Sequence, residues 1–146
     1  MNLYRFSFGL SIITLLSALF IISGLPEGVE LPVHWGVSGQ ADRFTDASTA
    51  LLMPPIIMMC VLGLVLILKF IEPRKENIEQ SKNAIHSIIA AIVLFMFVLE
   101  IGYFAMIAGW QVPMNKLVIF AIGLMFVFMG NFLGKVRSNF FIGIRT

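Results

Sequence analysis

The sequence predicts an all-α integral membrane protein: a four-transmembrane-helix bundle with N and C termini cytoplasmic and an ordered extracytoplasmic loop between helices 1 and 2. Three observations carry that expectation. The 146 residues are 59% hydrophobic and 12% charged, where an ordinary soluble domain has about 25% charged residues. That leaves too little polar surface to clothe a water-facing fold. Four apolar runs approach the ~20 residues that cross a hydrocarbon core of about 30 Å. The Lys and Arg residues fall on alternate sides of those runs, eight on one and two on the other.

The first run spans about residues 7–25 and stops at Pro26. It follows a short segment containing Arg5, so a cleaved signal peptide competes with a retained helix. The absence of an A-x-A site and the length of the run favour retention. The loop 26–48 is rich in Pro and Gly and reads as ordered turns. A second helix is expected over 49–71, with Pro54-Pro55 near its start causing a kink or a late beginning. A charged cytosolic turn, 72–83, leads to a third helix over 84–110. A short turn then leads to the fourth helix, 116–133, and a cytoplasmic tail, 134–146. The whole chain is one membrane domain with no room for a separate catalytic module.

Orientation follows from the excess of cations on the cytoplasmic side. Arg5, Lys69, Arg74, Lys75, Lys82, Lys135, Arg137 and Arg145 share one side; Arg43 and Lys116 share the other. Residues 26–48 are therefore expected outside, with Trp35 and Trp110 at the outer boundary. Gly130-x-x-x-Gly134 and Ala105-x-x-x-Gly109 offer close helix approach, either within the bundle or at a dimer seam, so the oligomeric state stays open.

Few residues suggest chemistry. Glu100 is the ionisable side chain set deepest in an apolar run, where a carboxylate costs about 2.5–3.5 kcal/mol on insertion scales. It reads either as a proton or ion site or as a protonated group bonded to a neighbouring helix. In the outer loop, His34, Asp42 and Asp46, near Glu27 and Glu30, invite comparison with a metal site. Their spacing matches no ligand motif, and a network in which Arg43 pairs an acidic neighbour is the better expectation. His86 reads as an interfacial residue. Cys60 stands alone, which excludes an intrachain disulfide. No nucleophile–base set, nucleotide loop or metalloprotease motif is present, so no catalytic residue, metal or cofactor is expected and the chain is read as a non-enzyme.

Two segments go further. L-P-V-H-W-G-V-S-G-Q-A-D-R, beginning at Leu31, and G-N-F-L-G-K-V-R-S-N-F-F-I-G-I-R-T, Gly130 to Thr146, resemble the SdpI family of bacterial membrane proteins and the uncharacterised domain at its N-terminal end. The resemblance implies a multi-pass protein of the bacterial cytoplasmic membrane. It further implies immunity to a secreted killing peptide, with a possible second role in holding a transcriptional repressor at the membrane without contacting nucleic acid itself. The matching loop positions are Pro32, His34, Trp35, Gly39, Asp42 and Arg43. The matching tail positions are Asn131, Asn139, Gly143, Ile144, Arg145 and Thr146. Family members continue beyond G-I-R-T into two more helices, so this sequence corresponds to the first four of six, as a shortened form or a short paralogue.

The expected function is thus toxin resistance, with the lipid bilayer and a secreted peptide as partners. The alternative is a small oligomeric transporter or ion pathway built on Glu100. The tail segment around Phe140–Ile142 is expected to lie along the inner headgroup boundary, with Arg137 and Arg145 on anionic phosphates.

Overall fold

The computed structural model describes residues 2–139, the side chain of Lys69 apart. The expected tail positions Gly143, Ile144, Arg145 and Thr146 lie outside them. Four helices are long and apolar enough to cross a membrane, which makes this a multi-pass membrane protein by build. They are α1 (Leu3–Gly24), α2 (Ala47–Ile71), α4 (Lys82–Ile107) and α5 (Met114–Leu133). Between α2 and α4 lies a short helix, α3 (Lys75–Gln80), and between α1 and α2 lie two strands, β1 (Glu30–Trp35) and β2 (Ala41–Asp46).

The strands correct the all-α expectation. The loop 26–48 is an antiparallel hairpin in which Leu31 faces Thr45 and Pro32 faces Phe44, with irregular register around His34. Both prolines in the segment stand where a ladder bond is dispensable, one before β1 and one on a strand of a two-stranded sheet whose outer side is free. The tip is closed by Gly39, whose φ of +79° lies in the left-handed region. An added Cβ there would also sit 2.7 Å from Asn115 Nδ2, so the tip rests against the first turn of α5.

Helix ends follow from local chemistry. Asn2 caps α1 by accepting the Tyr4 N–H at 3.1 Å, so the helix starts ahead of the expected position. Asp46 caps α2, accepting the Ser48 N–H at 3.1 Å, the Thr49 N–H at 3.0 Å and the Thr49 hydroxyl at 2.8 Å. This cap starts α2 at Ala47, and Pro54 and Pro55 stand inside a continuous helix; the expected late start does not occur. The helix α4 stops before Trp110 because Gly109, at φ +86°, reverses the chain. The Trp110 N–H then reaches the Ala105 carbonyl and the Gly109 N–H the Met106 carbonyl, a Schellman closure.

The core is a three-helix arrangement of α1, α2 and α4, while α5 packs on α4. At one end, Tyr4 donates to the Leu62 carbonyl at 3.3 Å and its ring meets His86. The starts of α1 and α4 therefore lie beside the second half of α2. Here Met58, Leu62, Val65, Ile85, Ile89 and Val93 form one apolar cluster. At the opposite end, Ala18, Leu31, Ala47, Ala50, Leu51, Tyr103 and Met114 form a second, into which the hairpin contributes Leu31. The buried face of α1 is a stripe of small residues, Ser7, Ser11, Thr14 and Ala18, which repeats at helical spacing. Such a stripe lets helices pack closely where lipid supplies no hydrophobic drive between them.

Within the chain, the small-residue pairs expected to allow close packing do not mark the closest helix approach. A Cβ added to Gly130 or Gly134 would meet nothing within 4 Å, and the same holds at Gly109, which serves as a cap. The close approach is at Gly102, where a Cβ would lie 2.6 Å from Met114 Sδ and 2.7 Å from Leu117 Cδ2.

Asp46 supplies a pH-dependent prediction. Hydrogen bonds from the Thr49 N–H first, then the Thr49 hydroxyl and the Ser48 N–H, hold its carboxyl below the usual carboxylate range. A depressed folded-state value means the cap's contribution is full above the ordinary carboxylate pKa and is lost as pH falls through the folded one. Asp46→Ala should fray the first turn of α2 and remove this acid sensitivity. Asp46→Asn should keep the cap yet be equally insensitive to acid. Amide exchange of Ser48 and Thr49 across an acid titration reads both.

Candidate functional site

The hairpin residues divide into those that fix it and those that it presents. Leu31 and Pro32 are buried, and Trp35 is half-buried against the cluster beneath. The Tyr103 hydroxyl, rising from α4, donates to the Pro32 carbonyl at 2.9 Å in a buried contact. The Ala47 N–H donates to the Val29 carbonyl and closes the base of the hairpin. Beneath it lies a pocket of about 210 Å³ whose lining includes Val33, Trp35, Ala50, Pro54, Met96 and Tyr103.

The presented group is polar with an apolar margin. His34 Nδ1 and Asp42 Oδ1 approach to 2.5 Å, and both side chains remain about half exposed. A pair this wet contributes roughly 0–1 kcal/mol, so its value lies in the surface it displays. Arg43 stands across from His34 in the ladder and is exposed; among the described residues it makes no ion pair. The expected partnership of Arg43 with an acidic neighbour is therefore replaced by His34 with Asp42. The two residues are eight apart, on opposite strands, and only the hairpin brings them together. Val37 at the tip and Phe44 on β2 are exposed apolar groups beside them.

Among the described residues no group of three or more His, Cys, Asp or Glu side chains is placed to hold a metal ion. Asp46, one of the acids that invited that comparison, is spent on the α2 cap.

The tail positions behave differently from one another. Asn131 is exposed on α5 and donates to the Val127 carbonyl one turn back. Asn139 is buried, its side-chain amide donating to the Arg137 carbonyl, and the rest of the segment expected along the headgroup boundary, residues 140–146, lies outside the described residues. The segment before Asn139 folds back on the α2–α4 connection. Arg74 donates to the Ser138 hydroxyl, Asn77 to the Ser138 carbonyl, and the Arg137 N–H to the Ser81 hydroxyl. This docking ties a basic surface into the chain's own contacts, which the charge pattern did not reveal.

Glu100 is fully buried in α4, and among the described residues neither carboxyl oxygen has a hydrogen-bond partner. The expectation of a bond to a neighbouring helix is not met there. Tyr103, one turn further along the same face, is the residue that joins this part of α4 to the hairpin.

With this geometry in place, comparison with known proteins adds one observation. Residues 9–59 match the model of a domain of unknown function (DUF1648). The domain is found in membrane-associated bacterial proteins. The matched span takes in most of α1, the whole hairpin and the first half of α2, including the α2 cap and Pro54-Pro55. Neither the curated proteins nor the solved structures contain a match.

Proposed function

We propose that this chain is a non-catalytic membrane protein of the SdpI type that protects a bacterial cell against a secreted membrane-active peptide, which it receives on the hairpin. The observation that carries the reading is the hairpin's division of labour. Pro32 and Leu31 anchor it through Tyr103 and the apolar cluster, while His34, Asp42, Arg43 and Phe44 stay exposed. The match over residues 9–59 supports it by marking the hairpin with its two flanking helices as a recurring unit.

The excess of Lys and Arg at the opposite end of the bundle favours a hairpin on the extracytoplasmic face. A peptide approaching from outside meets this surface before it meets lipid. Among the described residues each strand of the two-stranded sheet has one side without a neighbouring strand, so an extended peptide can add main-chain bonds there. Acidic Asp42 and apolar Phe44 and Val37 suit a cationic, amphipathic attacker.

The test is survival. Cells sensitive to such a peptide and expressing the parent chain should withstand it, and a His34→Ala, Asp42→Ala double variant should lose protection at equal membrane abundance. Equal killing of cells with and without the parent protein, once its presence in the membrane is verified, overturns the reading.

A further inference from the structure

The buried carboxyl of Glu100 is not used by the peptide-receiving surface. It lies seven residues before the last residue of α4, so roughly 10 Å below that helix end at 1.5 Å per residue. At 100° per residue, Phe97, Ile101 and Phe104 fall to one side of Glu100, and Met96, Leu99 and Tyr103 to the other. The first set lines a groove of about 590 Å³ with Thr14, Ser17 and Phe20 of α1. The second lines the pocket beneath the hairpin. Glu100, fully buried, lines neither opening itself and stands on the ridge between them.

Helix α2 brings a complementary feature to the same level. Pro54 and Pro55 carry no N–H, so the carbonyls of Ala50 and Leu51 cannot receive their usual helical bonds. Both residues are buried in the cluster that contains Tyr103. The groups that α4 and α2 bring to this level, where Ala50 and Pro54 line one pocket with Met96, Leu99 and Tyr103, are acceptors: one carboxyl and two backbone carbonyls relieved of their usual donors. On α1 the buried face offers Ser11 and Thr14, whose hydroxyls already donate to backbone carbonyls of their own helix. The titratable neighbour on the face of α4 is Tyr103, whose proton is committed to Pro32; among the described residues the buried faces of α1 and α2 carry no charged side chain.

An all-oxygen set with a single negative charge is complementary to a small hard cation of charge one. Neutrality is restored by one such ion or by one proton, and a bare buried charge is costly in lipid. Carboxylate and freed carbonyls are also the donor types that interrupted membrane helices use for sodium and protons. We propose that Glu100, with the Ala50 and Leu51 carbonyls, forms an intramembrane site for a small monovalent cation in competition with a proton, reached from the groove between α1 and α4. This site does not depend on the peptide-receiving reading.

The experiment uses the full chain in phosphatidylcholine vesicles and dicyclohexylcarbodiimide, an apolar reagent that adds to protonated carboxyls, with mass spectrometry of the Glu100 peptide. The expected result is an adduct on Glu100 that is absent in Glu100→Gln and falls several-fold in sodium chloride relative to choline chloride. Pro54→Ala, which restores an N–H to the Ala50 carbonyl, should leave the adduct but weaken the sodium protection. Equal labelling in sodium, lithium, potassium and choline overturns the proposal, because the carboxyl then holds a proton and no cation. Absence of an adduct in protein whose helicity matches the parent also overturns it, because the carboxyl is then out of reach from the groove.

Discussion

Gly102→Leu should loosen α5 from the bundle while leaving the α1–α2–α4 core folded. The position has no free space for a side chain without a shift of its neighbours: a single Cβ would already be 2.6 Å from Met114 Sδ and 2.7 Å from Leu117 Cδ2. Alanine can be absorbed, since both neighbours are the ends of flexible side chains. Leucine adds three more carbons, and overpacking of this kind costs about 1–3 kcal/mol. The α5 helix has little to offset that loss, because it packs on α4 and Met114 and Ala121 are its buried residues. A cysteine cross-link between the starts of α5 and the middle of α4 should form readily in the parent and Gly102→Ala, and poorly in Gly102→Leu. Equal cross-linking in all three contradicts the packing described.

Tyr103→Phe should free the hairpin without unfolding the helices. The substitution keeps the ring in the apolar cluster and removes one hydroxyl, leaving the buried Pro32 carbonyl without its donor. A buried acceptor stranded this way costs about 1–3 kcal/mol. The remaining attachments include apolar contacts of Leu31, Val33 and Trp35, the closing bond from Ala47 to Val29, and the tip's rest against Asn115 of α5. Amide exchange should rise across β1 and β2 and stay at parent levels in α4. If the hairpin is the receiving surface, protection against the peptide should weaken in step with that exchange. Exchange unchanged from the parent places the hairpin's rigidity elsewhere.

Much of this architecture was legible from residue order. The four apolar runs and the charge between them specify four long helices, since length and hydropathy are properties of a single segment. Glu100 was visible for the same reason: one acid in an apolar run stands out without any knowledge of its surroundings. That both of its oxygens go unpartnered was not visible, because this depends on what three other helices place nearby. The hairpin was missed although Leu31, Val33 and Trp35 recur at strand spacing, with polar Glu30 and His34 among their neighbours. The prolines and glycines of 26–48 outweighed that alternation, yet Gly39 closes the tip and Pro32 lends its carbonyl to Tyr103.

The helix-packing signal and the closest approach within the chain fall at different glycines. Gly130 and Gly134 have the spacing of a packing motif but no neighbour on the described chain, whereas Gly102 has no small partner at that spacing and makes the closest approach. Spacing shows that a backbone can be approached; the loop lengths and the α5 start decide which one is. Asp46 was read with the loop acids when it is the N-cap of α2. The sequence D-A-S-T holds the capping signal, with two N–H groups placed to donate to the carboxylate.

The proposed function requires a rigid hairpin displayed on the extracytoplasmic face. A single cysteine at Val37, the fully exposed tip, in a chain where Cys60 is replaced by serine, tests it directly. A membrane-impermeant maleimide should label that cysteine in intact cells, and a cysteine at Glu76 in α3 only after lysis. Labelling of Glu76→Cys in intact cells, with Val37→Cys protected until lysis, would turn the bundle over and contradict the account.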